Sequence, residues 1–348
     1  MSLLPKKATS WKLPFAWQEL VLLAVVIGEL FYFNAAGRNF LTADNVGNII
    51  RHSTEIGLLA LVMMPIILAG GIDLSVGSLL GLCAVLFGKM VQEGGLPPSV
   101  AIPITLCFGA LAGGFNAGLI TWLRLPPLIV TLGTYSLFRG LAEAITKGTA
   151  TYSNFPPGFL AFGNATVLGL PAQAWVLVLV AIFVWLLVHQ TTFGRSYRAI
   201  GFSPEGATYA GLPVRQRIAS TYILAGLVAA AAAIIYTARV TQARADAGTG
   251  YELAAITAVV LGGTSIFGGI GTVPGTLLGV AAIAILTNGL SRIPSIIGIS
   301  RELSGMLTGA LLLIALAGGA LTKLLAERRL RRQTRARSGP QLSPTASS

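Results

Sequence analysis

The chain has 348 residues, of which 54% are hydrophobic and only 10% charged, with a formal net charge of +12. A soluble domain carries roughly a quarter charged residues. With a mean hydropathy of +0.77, the composition excludes a soluble enzyme, a disordered chain and a disulfide-rich secreted domain, and makes lipid the expected solvent. Continuous apolar runs such as Trp175–His189 and Ile223–Tyr236 lack the ~10-residue alternation of barrel strands. The expected fold is therefore all-α, a polytopic helical membrane protein.

Lys6, Lys7 and Lys12 precede the first apolar stretch, Trp17 to Phe33. That stretch exceeds a signal-peptide core of ~7–15 residues, so it reads as a retained span despite Ala35-Ala36-Gly37 after it. About ten spans follow from hydropathy: 17–36, 49–69, 74–92, 99–123, 127–146, 173–190, 218–238, 252–269, 272–291 and 303–322. Leu253 to Ser291 holds no charged residue, enough for two spans of ~20 residues. This divides the chain into an N-terminal segment 1–16, a membrane body 17–322 and a basic tail 323–348 that reads as disordered.

Direction follows from Lys and Arg. An inside N-terminus puts fifteen inside: Lys6, Lys7, Lys12, Arg124, Arg195, Arg198, Arg215 and Arg217, with Lys323, Arg328, Arg329, Arg331, Arg332, Arg335 and Arg337 of the tail. Eight fall outside: Arg38, Arg51, Lys89, Lys147, Arg239, Arg244, Arg292 and Arg301. Both termini are thus expected in the cytoplasm of an inner membrane. The tail is expected to meet anionic lipid rather than nucleic acid. The longest cytoplasmic loop on this topology, 191–217, offers a surface to an intracellular partner, and 147–172 faces outside.

Charges inside a bilayer cost at least ~2.5–3.5 kcal/mol each. Arg139 and Glu143 are spaced to pair on one helix face, and Glu55 reads as a flanking charge near the interface. Asp73 is different. It follows Gly70-Gly71, which weaken a helix, and precedes Ser75, Gly77 and Ser78, so the next helix can start on Asp73 or Ser75 as a cap. Two readings stay open: a helix break beside a substrate path, or a tight hairpin at the surface. A second glycine-rich break contains Gly262-Gly263 and Gly268-Gly269. The segments Gly77-Ser78-Leu79-Leu80-Gly81 and Gly275-Thr276-Leu277-Leu278-Gly279 echo each other, as in transporters built from related halves. Gly109, Gly113, Gly114, Asn116 and Gly118 suit close packing of the fourth span.

Nothing in the sequence forms a catalytic or metal constellation. His52 and His189 are the only histidines, Cys83 and Cys107 lie in apolar runs, and no P-loop is present. No cofactor is expected. Uphill transport would draw on a partner or an ion gradient, and an ion- or proton-coupled carrier is the alternative to a partner-driven importer.

Leu68–Gly81 (LAGGIDLSVGSLLG) closely resembles the signature of permease subunits of bacterial monosaccharide ABC importers, the ribose, xylose, galactose, rhamnose and autoinducer-2 type. Tyr251–Gly279 resembles a later block of that family, and Thr192–Arg217 resembles its cytoplasmic coupling loop. The resemblance runs from about Leu41 to Leu321. It implies a permease domain over 17–322, which translocates a monosaccharide or small polyol and has no ATP site of its own. The implied partners are two cytoplasmic ATPase subunits, a second or sibling permease and a periplasmic sugar-binding protein. A coupling helix would span Pro204 to Leu212, with Glu205, Gly206, Ala207 and Gly211 on it. Ser203 departs from the Asn that many relatives carry. On this resemblance Gly70, Gly71, Asp73, Ser75, Gly77, Gly262 and Gly263 are expected to shape the path or gate.

Overall fold

A computed structural model describes residues 17–37, 39–293, 303, 305–315 and 317. The lysine-bearing segment 1–16, the basic tail 323–348, Arg38, Arg301 and the remainder of the tenth span lie outside the described residues.

The fold is a helical bundle. Its helices are α1 (Trp17–Ala36), α2 (Ala43–Leu68), α3 (Val76–Gln92), α4 (Pro98–Thr121), α5 (Pro127–Ile145), α6 (Pro157–Asn164), α7 (Ala172–Trp185), α8 (Thr192–Phe202), α9 (Pro204–Tyr209), α10 (Val214–Val240), α11 (Tyr251–Leu261) and α12 (Val273–Leu290), followed by α13 (Gly305–Ala315). Seven of the predicted spans carry helices long and apolar enough to cross a membrane. The segments at α3, α11 and α13 carry shorter apolar helices. A helical turn of the π type, Leu186–Gln190, extends α7.

Local chemistry places the ends. α4, α5 and α6 open on Pro98, Pro127 and Pro157, where a missing N–H costs nothing. The Thr42, Ser203 and Thr272 hydroxyls accept backbone N–H groups at the starts of α2, α9 and α12. Segment 147–172, expected only as an outer loop, also forms a two-residue hairpin at Thr166–Pro171. Its turn residues Leu168 and Gly169 both have positive φ, as a type I′ turn requires.

The main core is built by α2, α3, α10 and α11, with α4 packed most extensively on α10. Gly109 and Gly113 face the α10 backbone at Gly226 and Tyr222, so closely that a Cβ would collide. This is the small-residue contact expected in lipid. Gly114 and Gly118 have only ordinary neighbours. A second cluster joins α1 to α12 through Leu22, Val26, Phe33 and Ile285.

Two expectations about charge are corrected. Arg139 does not pair with Glu143, which is exposed; it reaches across to the carbonyls of Ala245 and Ala247. Glu55 is not a flanking charge. It is fully buried and bound by Arg239 at 2.7 Å, because α2 begins six residues before the predicted span and carries Glu55 deep into the bundle.

Candidate functional site: two short helices that meet inside the bundle

α2 ends at Leu68, and the chain turns at Gly70, which is exposed with φ +84. It then rises without helix through Gly71, Ile72 and Asp73 to the start of α3. Three neighbours set the height. Thr131, four residues along α5, donates to the Ile72 carbonyl at 3.2 Å. Asn116, five residues before the end of α4, donates to Ser75 Oγ at 2.8 Å. Tyr222, eight residues along α10, places its hydroxyl 2.6 Å from where a Cβ of Gly71 would sit. At 1.5 Å per residue these lie about 6–12 Å inside that end of the bundle. The break thus combines a turn at the end of the bundle with an unwound climb within it.

Asp73 is buried, and its Oδ1 accepts the Ser75 amide at 2.8 Å and the Ser75 hydroxyl at 2.7 Å. It holds Ser75, the first residue of the helix start, rather than capping the following turn itself. Ser75 thus relays Asp73 to Asn116 on α4.

The approach to the other short helix was hidden in what the sequence presents as an outer loop. α10 ends at Thr241 in the left-handed conformation. Residues 242–250 then run without helix back along α3, with Ala243 beside Gly88, Ala245 and Ala247 beside Gly81, and Gly248 beside Gly77. Arg139, twelve residues or about 18 Å along α5, holds this strand by the Ala245 and Ala247 carbonyls. α11 starts only there and spans 11 residues, about 16 Å. The predicted span 252–269 is corrected accordingly: its second half, 262–269, is non-helical, and the chain stays so through Thr272. The N-termini of α3 and α11 therefore meet within the bundle, with the Glu252 carboxylate against Gly77. Glu252 Oε1 accepts the Gly250 amide at 3.2 Å.

A helix N-terminus carries a positive dipole end, and here the Ser75, Gly250 and Tyr251 amides are taken up by Asp73, Glu252 and the Gly248 carbonyl. Around them Asn116 Oδ1, the Tyr222 hydroxyl, Glu252 Oε2 and Arg139 Nη2 are buried without a hydrogen-bond partner among the described residues. Buried polar atoms are nearly always bonded, so this cluster has hydrogen-bonding capacity for a hydroxylated solute or water. Sequence reasoning found Asp73, Ser75 and Gly77 but missed Asn116, Tyr222, Arg139 and Glu252 as neighbours. Gly248-Thr249-Gly250 before an apolar run was the available signal.

Gly262 and Gly263 lie elsewhere, at the end of α11. Gly262 packs on the Gly275 backbone of α12, and Gly263 has φ +88 beside Gln18. Their break meets the first one through a backbone bond: the Gly269 amide donates to the Leu68 carbonyl at 2.9 Å. Gly201, the penultimate residue of α8, sits against both. In loop 191–217, Glu205, Gly206 and Gly211 are exposed, whereas Ala207 is buried and anchors α9 to the core. Phe202 and Tyr209 are exposed aromatics at the same end.

A multi-pass helical bundle with broken helices and interior polar groups has the architecture of a membrane transport protein. A family model described as branched-chain amino acid transport system / permease component matches residues 45–316. The chain belongs to this permease family, and it is an inner-membrane transport subunit rather than an enzyme. It is 38% identical over 317 residues to the autoinducer 2 import system permease protein LsrD of Yersinia enterocolitica, covering 88% of this chain and 93% of that protein. The Yersinia pseudotuberculosis LsrD is also 38% identical, with 92% of its length covered. No solved structure matches. The two descriptions name different cargoes, so membership fixes the permease role and not the solute.

Proposed function

We propose that this chain forms half of the passage of an ABC importer for a monosaccharide or similar small polyol. The meeting of the α3 and α11 N-termini inside the bundle carries this reading. The unwound backbone there is bordered by the buried polar groups of Asp73, Ser75, Asn116, Tyr222 and Glu252, a set suited to hydroxyl groups. The LsrD relatives, named for import of autoinducer 2, favour a hydroxylated cargo over a branched-chain amino acid.

The remaining parts are assigned on the same reading. Gly70, Gly71, Asp73, Ser75 and Gly77 shape the path, and Gly262 and Gly263 hinge the second break. Loop 191–217, with Glu205, Gly206 and Gly211 outward and Ala207 as anchor, faces the cytoplasm and docks an ATPase subunit. Two such ATPases, a second or sibling permease and a periplasmic binding protein complete the importer, and both termini are cytoplasmic. ATP closure of the ATPases favours one state of the passage and hydrolysis the other, through contacts that differ between the states.

The test is reconstitution in proteoliposomes with a candidate ATPase and a candidate sugar-binding protein from the same organism. Sugar uptake should require ATP inside and survive an uncoupler. Uptake that collapses with the uncoupler while ATP is held constant would establish the ion-coupled carrier instead.

A further inference from the structure

The first glycine break, the second glycine break and loop 191–217 converge on one residue. Gly269 donates its amide to the Leu68 carbonyl at 2.9 Å, tying the end of α2 to the break between α11 and α12. Gly201 lies over that bond. A Cβ built on it would collide with the Leu68 oxygen and the Gly269 nitrogen, with the Gly268 carbonyl carbon at 3.1 Å. All three are backbone atoms, which cannot swing aside as a side chain can. Gly268 and Gly269 have φ +85 and +81, so L residues there are strained as well. The next residue, Phe202, lays its ring against Gly269, 2.9 Å from where a Cβ would sit. α8 is itself tied to the turn before it, since Arg198 donates to the Val188 carbonyl at 3.1 Å, and that turn is tied to α12, since His189 Nε2 accepts the Val273 amide at 3.3 Å. A displacement of α8 therefore bears on both breaks together, with no intervening side chain at Gly201 to absorb it.

We infer that Gly201 is a positioning residue for transport, the point at which movement of loop 191–217 is passed to the turn at Gly70 and the break at Gly268-Gly269 in one step. This rests on the proposed reading of that loop as the ATPase dock. Gly201 touches no cargo. Its role is to let α8 sit on bare backbone, so that loop position and the α3 and α11 entry geometry cannot vary independently.

The experiment compares wild type, Gly201→Ala and Phe202→Ala as the full permease–ATPase complex in proteoliposomes, measuring both sugar uptake and ATP hydrolysis stimulated by loaded binding protein. Gly201→Ala should still bind the ATPase and hydrolyse ATP, but move at least about fivefold less sugar per ATP, a coupling loss within the usual allosteric range. Phe202→Ala adds no bulk and removes the ring over Gly269; it should lower the same ratio by about twofold or more. If Gly201→Ala fails to accumulate in the membrane, Phe202→Ala carries the test. An unchanged ratio in Phe202→Ala, or in an assembled Gly201→Ala, overturns the inference. A wild-type complex whose uptake needs no ATP overturns the reading of the loop instead.

Discussion

The Glu252 carboxylate, in the first turn of α11, lies against Gly77, in the first turn of α3. Two helices that run in opposite directions thus present their N-termini to each other, and only a residue without a side chain fits between them. A Cβ at Gly77 would collide with Glu252 Oε2 and come within 2.6 Å of the Gly248 carbonyl. Gly77→Ala should therefore destabilise by about 1–3 kcal/mol through overpacking and abolish most uptake. Gly114→Ala is the control, because its nearest neighbour is 3.9 Å away; thermal unfolding in detergent and uptake should both stay at wild type.

Asp73 accepts two bonds from Ser75, which in turn accepts one from Asn116. Removing it leaves the buried Ser75 amide and hydroxyl without their acceptor, at a cost of about 1–3 kcal/mol each way. Asp73→Ala should cut sugar uptake strongly while the complex still assembles. Asp73→Asn keeps an acceptor oxygen and should restore the fold of the α3 entry, so uptake by that variant separates geometry from charge. Normal uptake by Asp73→Ala would remove Asp73 from the path.

The long, uniformly apolar helices were legible in the sequence because a segment in lipid needs little more than length and hydropathy. The α3 entry was legible because Gly70-Gly71, Asp73 and Ser75 are adjacent in the chain and carry recognisable break and cap chemistry. The α11 entry was not. Arg244 and Asp246 make residues 241–250 look like a polar outer loop, and they do form an exposed ion pair at 2.9 Å. What takes Ala245, Ala247 and Gly248 inward is long-range: Arg139 on α5 and the bare faces of Gly77, Gly81 and Gly88 on α3. Glu55 was misread for the same reason, since its partner Arg239 lies 184 residues away.

The Glu55–Arg239 pair links α2 to the end of α10, where the inward run begins. Glu55 is fully buried and the Arg239 side chain nearly so. Breaking a buried pair from one side leaves an uncompensated charge, at about 3–5 kcal/mol. Glu55→Ala and Arg239→Ala should each lower the unfolding temperature more than the double variant does per residue removed. A double-mutant cycle with no interaction between the two sites would show that the pair contributes nothing to α2–α10 docking.

At the same end, the Tyr152 hydroxyl donates to Glu93 at 2.8 Å, and Tyr152 pairs its backbone with Ala243. The Tyr152 hydrogen bond, the largest cause, holds the Glu93 carboxyl below its ordinary value; the Lys89 charge adds to this. Burial first, then Glu93, pushes the Tyr152 phenol up to about 12. The signs follow by linkage. The carboxylate's share of stability is present above its ordinary range and lost as pH falls through the depressed value. The phenol's share is present below its ordinary value and lost as pH rises through about 12. Hydrogen exchange across 147–156, corrected for intrinsic rates, should stay flat at neutral pH and rise on the acid side. Glu93→Gln should lack that acid rise; an unchanged acid limb would place the titrating group elsewhere.

The surface of loop 191–217 predicts which residues a partner would feel. Tyr209 is 92% exposed at the end of α9, beside exposed Glu205 and Gly206, while Ser203 caps the helix at Gly206 and the Gly211 turn, φ +77, ends the element. A rigid, capped short helix that shows a tyrosine to water has the makeup of an interface anchor, and such aromatics commonly cost about 2 kcal/mol or more when truncated. Tyr209→Ala should leave the unfolding temperature of the isolated permease unchanged, because the side chain is almost wholly exposed, but weaken ATPase association by about tenfold or more. Gly206→Trp places bulk on the same exposed face and should lose stimulated ATP hydrolysis together with uptake. If both variants retain wild-type association and stimulated hydrolysis, the dock lies on another face of the loop, and the exposed aromatics at this end need a different partner.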